Sequence, residues 1–537
     1  MALRNHDQIH DCTTPLITKP EDYGKATRPS GPRRRFEFKA LWGTQLYKTT
    51  ALILCLLFVF AIVGVLLTRN NSLESCLDQA GIPFLAKGSK DWAQEIMPWN
   101  LRLAYTPAAV AIPQSIDQIQ GAVFCGIKNQ VRVSAKGGGH SFGSYGLGGE
   151  DGHLVIELSQ MYAVTLFENH TAKIQPGARL GHVSTELYNQ GQRAIPHGAC
   201  PGVGLAGHVL YGGYGRASRT HGLTLDWLIG AKVILTDGSM VYCSATENTD
   251  LFWALRGAGP SFGIVAEFEF STFEAPDVVT VFTIDLPWME ESAVETIIAL
   301  QDLAISAPKE LNIFLFVSVN YQVIQGMYFG DGDGLNQALQ PLLARLEIKG
   351  LHMSTGGWLK ALEQYTDGED LDQTYPYNSH ATYYTTSLMT PALTEDQTKK
   401  FIATMFANIH QASARHSWDI FFEMHGGNNS AVAQVDPSAT AYVHRDKLLL
   451  YQLSDTGSHG QFPDEGFAVL RNFTDSVTNS MAPEDWGMYA NFLDTQLDGK
   501  TAQQLYWGNN LQRLRSIKAK LDPADVFWNP QGISPLS

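Results

Sequence analysis

Residues 134–146, SAKGGGHSFGSYG, set one imidazole, His140, directly behind three consecutive glycines, Gly137, Gly138 and Gly139. Glycine lets main chain approach a ligand closely and leaves amide N–H groups able to face a phosphate. The stretch is not a Walker loop, because no Gly-Lys-Ser/Thr follows, and it is not a Rossmann G-x-G-x-x-G opening a βαβ unit. By itself it is equally compatible with a plain turn. Sixty residues later a second glycine-rich tract, PHGACPGVGLAGHVLYGGYGRASRTHGLTLDWL (196–228), carries Cys200 near its head. Farther on, Glu423 lies between Phe422 and Met424, where a carboxylate is costly unless it is partnered or stands at a wet sheet edge. Alternation puts Phe421, Glu423 and His425 on one face of that strand, and Leu448, Leu450 and Gln452 on one face of the next. His197, His208 and His221 have no paired metal-ligand spacing, so no metal is expected.

The elements that must carry these residues read as two textures. QVRVSA (130–135) and HLVIEL (153–158) are strand-like, and IGAKVILTDGSMVYCSA (229–245) reads as two strands about a Thr-Asp-Gly turn. From about Val278, helical periods such as EESAVETIIALQDLAI (290–305) and NQALQPLLARLEI (336–348) alternate with strands such as LNIFLFVSVNYQ (311–322), which suggests a sheet covered by helices. Near Asp485 the glycine and aromatic texture returns, and residues 510–527 form a basic amphipathic helix ended by Asp-Pro. The first domain is therefore expected to be discontinuous and closed by the C-terminal segment.

Residues 49–68, TTALILCLLFVFAIVGVLLT, contain no charge, and 20 residues make a helix of about 30 Å, enough to cross a bilayer's hydrocarbon. A secretory signal peptide is the competing reading, but its apolar region would be shorter and nearer the N-terminus, and no small-x-small cleavage site follows. Nine of the 38 Lys/Arg and five of the 53 Asp/Glu precede this span, leaving 29 basic against 48 acidic residues. The positive-inside rule then makes residues 1–48 a cytoplasmic tail and places the large domain on the lumenal or extracellular side of a single-pass membrane protein. The acidic balance argues against nucleic acid as a partner. Acceptor sequons at Asn70, Asn169, Asn428 and Asn472 all fall beyond the span. Of six cysteines, Cys76, Cys125, Cys200 and Cys243 lie on that side, so two disulfides are arithmetically possible.

Taken together, His140 after a Gly-Gly pair, CPGVG at 200–204, LFWALRGAGPSFGIVAEFEF (251–270) and YWGNNLQRLRSIKAKLDPADVFWNPQGISP (506–535) resemble the FAD-linked oxidases of the vanillyl-alcohol oxidase superfamily. The closest resemblance is to the berberine-bridge-enzyme-like branch with its fungal oligosaccharide oxidases, from about Ile82 to Pro535. It implies a two-lobed α+β PCMH-type FAD-binding domain, discontinuous in sequence, with an α/β substrate domain, preceded here by the one transmembrane helix. The divisions are tail 1–48, helix 49–68, stem 69–81, FAD domain 82–277, substrate domain 278–484, and 485–537 completing the FAD domain. It also implies FAD held by two covalent bonds, from His140 to the 8α methyl and from Cys200 to C6. Further cofactor contacts are implied at Gly137, Gly138, Gly139, Ser141, Val203, Gly207, His208, Gly213, Gly259, Ile264, Val265 and Asn510, the last facing the ribityl chain or ring. Arg513, Lys518 and Asp522 are read as helix-end contacts. Cys76 and Cys125 match a disulfide pair of the family, leaving Cys243 a buried thiol.

The same resemblance implies the chemistry. Tyr489, in MYANFLD, is the base that removes a hydroxyl proton; Glu423 takes part in its relay, and Gln452 binds substrate hydroxyls. A phenol with an ordinary pKa of ~10 is a poor base at neutral pH, so its surroundings must favour phenolate or pass the proton on. Val203 matches a small residue near the flavin's oxygen-reactive carbon, which favours dioxygen as electron acceptor. The expectation is an oxidase of an alcohol, such as a saccharide, yielding peroxide. Tailoring of a secondary metabolite is the near alternative, and glycan binding at a membrane without turnover the distant one.

Overall fold

The computed structural model describes residues 72–536 apart from 288, 349, 367–369, 374–379, 410–415 and 458–461. The apolar span 49–68, the N-terminal tail and Asn70 lie outside the described residues. Among the described residues no helix is long and apolar enough to cross a membrane.

The first helix among the described residues, Leu73–Gln79, starts where the Ser72 hydroxyl accepts from the Ser75 amide, and the helix Ile116–Lys128 starts on Ser115 in the same way. Cys76 and Cys125 join the two as a disulfide with Cα atoms 5.7 Å apart. Beside them a four-stranded sheet contains β1 (Phe84–Leu85), β2 (Ala109–Ala111), β3 (Val133–Lys136) and β4 (Leu154–Glu157), with β2 and β3 both parallel to β4. Its β2 and β4 are buried along their whole length, as expected of a parallel sheet covered on both faces.

A second, antiparallel sheet comprises β5 (Val164–Leu166), β6 (Thr171–Ile174), β8 (Leu228–Ile234), β9 (Met240–Ser244) and β10 (Ile264–Ser271) in the order β5-β6-β10-β8-β9. β8 and β9 form the hairpin read from TDG, with Gly238 at φ +78° and its amide bonded to the Leu235 carbonyl. A two-stranded ribbon pairs β7 (Arg193–Ala194) with β11 (Phe273–Glu274).

The later part of the chain is built on seven strands: β12 (Val279–Leu286), β13 (Leu311–Ser318), β14 (Gln322–Tyr328), β15 (His352–Gly356), β16 (Thr382–Thr390), β17 (His416–Met424) and β18 (Leu449–Gly457), ordered β15-β12-β14-β13-β17-β18-β16 and antiparallel throughout. One face of the sheet sends Leu315, Phe422, Tyr451 and Leu388 into a core with Leu300, Leu335, Phe401 and Val469 of its helices. The other face sends Met389 and Leu450 into the core of the glycine-rich lobe, so the lobes share apolar packing there. The C-terminal helix Leu511–Leu521 returns to that lobe: Lys518, fully buried, pairs with Asp522 at 2.6 Å and donates to the Ser261 carbonyl at 2.8 Å. Arg513 makes an exposed pair with Asp250 instead.

Candidate active site

β3 delivers the chain into the Gly137–His140 loop, and the strand's last residue, Lys136, is held by Glu157 at 2.7 Å and Glu95 at 3.0 Å. The loop lies against the Cys200 tract. A Cβ built on Gly138 would stand 2.3 Å from the Gly204 nitrogen, and one on Gly204 equally close to the Gly138 nitrogen. Only two glycines permit that approach. Buried Arg179 ties the tracts from the side, its Nη1 donating to the Gly138 carbonyl at 3.0 Å and to the Gly202 carbonyl. The His140 ring stacks on Trp99, centroids 4.1 Å apart and planes 27° apart, and Trp99 in turn stacks on Tyr383 of β16 at 4.7 Å. Burial, and secondarily the Arg179 guanidinium, push the His140 pKa down to about 3, so the imidazole is neutral at pH 7 and its ring nitrogens keep nucleophilic character. Cys200 is a half-buried thiol in a turn closed by the Val203 amide on the Cys200 carbonyl at 3.3 Å.

His208, on the helix Leu205–Tyr211, is buried, and burial pushes its pKa down to about 3; its neutral Nε2 accepts from the Gly198 amide at 2.9 Å. It therefore pins the segment that leads into Cys200. Its own carbonyl accepts from Asn491 Nδ2 at 3.0 Å, and the same Nδ2 donates to Tyr489 Oη at 2.9 Å. The amides of Gly213 and Tyr214 also donate to Tyr489 Oη, at 2.9 and 3.1 Å. Gly213 holds φ +85° with its Cβ direction 2.2 Å from Thr224 Oγ1, a position closed to any side chain. Three N–H groups thus converge on one buried phenolic oxygen. Burial raises the Tyr489 pKa, and these donors, which favour phenolate, pull it back down.

The seven-stranded sheet supplies the opposite wall. The Tyr489 amide donates to Ser387 Oγ on β16 at 2.9 Å. Ser387 stands directly opposite Gln452 on β18, which in turn stands opposite Phe421 on β17. Glu423 lies two residues along β17 on the same face, so the register gathers Tyr489, Gln452 and Glu423 around one patch. Glu423 is 9% exposed, is ion-paired to Arg216 and lies beside Tyr214, so it is a partnered buried carboxylate and not a wet-edge residue. His425 falls just beyond the strand, where Nε2 meets Tyr442 Oη at 2.9 Å, and Leu448 packs into the helix-side core, away from Leu450.

The remaining positions are more varied. Ser141 caps the turn after His140, its Oγ accepting from the Tyr145 amide at 3.2 Å. Val203 packs at the edge of the glycine-lobe core, and Gly207 faces open space. Gly259 is a packing glycine, its Cβ direction 2.5 Å from Leu210, while Ile264 and Val265 are buried at the start of β10. Asn510 directs its Nδ2 at the carbonyls of Pro437, Thr440 and Ala441, at 3.0, 3.1 and 3.4 Å. It acts as a strap between the C-terminal segment and the loop before β18, because its place at the start of the helix Leu511–Leu521 aims it at that loop. No cluster of metal-ligating side chains is present among the described residues.

A model described as an FAD binding domain matches residues 107–244, and one described as berberine and berberine like matches 488–534. The chain is 46% identical over 471 residues to a chitooligosaccharide oxidase of Gibberella zeae, covering 87% of this chain and 95% of that one. The chain belongs to the berberine-bridge-enzyme-like FAD-linked oxidoreductases. Within that family it is also 48% identical over 467 residues to the FAD-linked oxidoreductase dpmaF of Metarhizium anisopliae, covering 86% and 91% of the two chains. Among solved structures, a glucooligosaccharide oxidase from Acremonium strictum, described with a 6-S-cysteinyl, 8α-N1-histidyl FAD, superposes with a TM-score of 0.84 at 43% identity over 87% of this chain and all of that one.

A berberine-bridge-enzyme-like oxidoreductase uses FAD, and the residues present fit it: bare backbone where the tracts meet, a neutral imidazole and a thiol on those tracts, and a phenolic oxygen on the adjoining wall. Tyr214, Arg216, Arg179, Asn491 and Trp99 take part in this family site without having been singled out from the sequence. Tyr214 and Arg216 lie inside the quoted GGYGR segment, where the glycines drew the attention; Arg179 has no local signal at all.

Proposed function

We propose that this protein oxidises a hydroxyl-bearing carbon of a saccharide, using FAD attached through His140 and Cys200. The observation that carries the reading is the convergence of the Gly213, Tyr214 and Asn491 N–H groups on Tyr489 Oη. When bound, FAD would supply the hydride acceptor for the carbinol carbon, with dioxygen as the terminal oxidant and hydrogen peroxide as its product. The chain supplies the proton chemistry. As phenolate, Tyr489 takes the hydroxyl proton while the carbonyl forms, and the three N–H donors stabilise the charge it must carry beforehand. Tyr214 lies beside both groups, its amide donating to Tyr489 Oη and its ring next to Glu423, whose carboxylate shares a sheet face with Gln452. Gln452, half-buried on the same face, offers an amide that can both donate to and accept from sugar hydroxyls.

The chitooligosaccharide and glucooligosaccharide oxidases favour a sugar donor. A non-saccharide alcohol is the second reading, favoured by the 48% identity to dpmaF, whose name carries no sugar. The apolar span, the exposed Asn169, Asn428 and Asn472, and the disulfide support placement of the domain across a membrane from the N-terminus, with those asparagines glycosylated. The test is a peptide mass map of acid-precipitated protein followed by a peroxide assay on oligosaccharides and small alcohols. Flavin mass on the His140 and Cys200 peptides with peroxide from sugars is expected; flavin released wholly into the supernatant, or no turnover of any sugar, overturns the reading.

A further inference from the structure

Arg216 is assigned no role by the reading above. Its guanidinium is centred 3.5 Å from the Phe314 ring centroid, with Tyr365 and Phe421 at 5.5 and 6.0 Å, and its side chain is 12% exposed. Arginine keeps its charge in any protein environment, so this is a permanent cation placed among aromatic rings. Its Nη1 donates to Glu423 Oε1, while its buried Nε has no hydrogen-bond partner. An uncompensated buried cation is far more costly than a pair, so the guanidinium favours the carboxylate form of its neighbour.

The groups facing Glu423 come from three directions. Tyr214 and Arg216 approach from the segment after the helix Leu205–Tyr211, Tyr365 from the segment after the helix Trp358–Glu363, and the flanking strands contribute neutral Phe314 and Leu450. Arg216 is the only cation among those named; the two phenols are held protonated by burial. Burial raises the Glu423 pKa, and Arg216 is the principal group lowering it again.

We propose that Arg216 is a positioning residue of the oxidising site: it holds Glu423 as a carboxylate and fixes it on the sheet face that also carries Gln452. This rests on the functional reading of Tyr489 and Glu423 given above. With Arg216 replaced by glutamine, Glu423 takes up a proton at neutral pH and the acid limb of the flavin-reduction profile moves to higher pH. Arg216→Lys keeps the charge and restores most of the wild-type profile, though it lacks the planar fork.

The experiment uses the flavin-loaded full chain in two arms. Difference infrared spectroscopy at pH 7 compares wild type, Arg216→Gln and Arg216→Gln/Glu423→Gln, the double variant removing both charges so that folding does not depend on an unpaired carboxylate. A protonated-carboxyl band that is present in Arg216→Gln and absent from the other two is expected; no such band overturns the inference. Anaerobic stopped-flow reduction from pH 5 to 9 forms the second arm, in which an acid limb unmoved in Arg216→Gln, or one not restored in Arg216→Lys, also overturns it. Glu423→Gln with wild-type reduction rates overturns the role of that carboxylate in the site, and the infrared arm, which reads only the ion pair, separates that failure from the first.

Discussion

Replacing Tyr489 by phenylalanine removes one oxygen and nothing else, and the structure says what that oxygen does. Three N–H groups point at it from 2.9 to 3.1 Å, and the ring is 1% exposed. A positioned general base contributes about 10²–10⁴-fold, or about 2.7–5.4 kcal/mol of barrier, and the rate of anaerobic flavin reduction should fall by that factor. Substrate affinity should change little, because Gln452 and the sheet wall are untouched. The stability cost is bounded as well. Two buried backbone amides lose their acceptor, but three donors around the vacated position suffice to hold one ordered water, which keeps the loss to about 1–3 kcal/mol. The alkaline side supplies a sign check: burial places the phenol above its ordinary pKa, so reduction by wild type should climb as pH rises toward that value, and the variant should lose the climb. Stopped-flow reduction at a series of pH values, on protein with unchanged flavin content, measures all of this. Unchanged reduction by the phenylalanine variant would refute the assignment of the base and the reasoning from converging donors.

Acid should destabilise the fold through buried neutral histidines. His208 and His425 titrate near about 3 and His444 near about 4 in the folded state because of burial, against an unfolded value of about 6.5. Their contribution is therefore whole above pH ~6.5 and lost as pH falls toward 3–4, on the order of 1.4 kcal/mol per pH unit for each group, visible in urea titrations between pH 7 and 4. Arg179→Met should release the two glycine tracts from each other and lower covalent flavin incorporation severalfold, read as in-gel flavin fluorescence of denatured protein; undiminished fluorescence would count against the clamp. Gly204→Ala places a Cβ 2.3 Å from the Gly138 nitrogen and should have the same effect without any change of charge. Opening the Cys76–Cys125 bridge, whose residues are 49 apart in sequence, by the paired serine substitutions should cost up to about 4 kcal/mol by loop entropy, measured as a lower denaturation midpoint in the N-terminal helices.

The order in which the site became legible follows from chemistry. His140 and Cys200 stand out in sequence because glycine-rich backbone beside a nucleophile is uncommon, and glycine's role there is local: an added Cβ has nowhere to go. Tyr489 and Glu423 are readable as types but not as neighbours, since both are reached from the segment that carries Tyr214 and Arg216, about 275 and 210 residues distant in sequence. Asn510 shows the opposite case. Its motif is clear, yet the direction of its amide is set by how the C-terminal helix docks on the loop 437–441, which no local pattern encodes. Leu448 went to the helix-side core because β18 begins one residue later, and a strand's face is defined only within the strand.

By itself, the amino-acid order determined composition-level and short-range properties: an uncharged apolar run of membrane length, a hairpin at TDG, glycine tracts that admit close backbone contact, and which side chains are able to do acid–base or nucleophilic work. These need only a residue and its near neighbours. The tertiary structure alone decided which nucleophile-bearing tract lies against which, that Arg179 holds them together, that a phenol receives three N–H donors from two separate segments, and that Glu423 is answered by Arg216. Such facts depend on distances between residues far apart in the chain, and those distances are set by the joint packing of two lobes about a shared core.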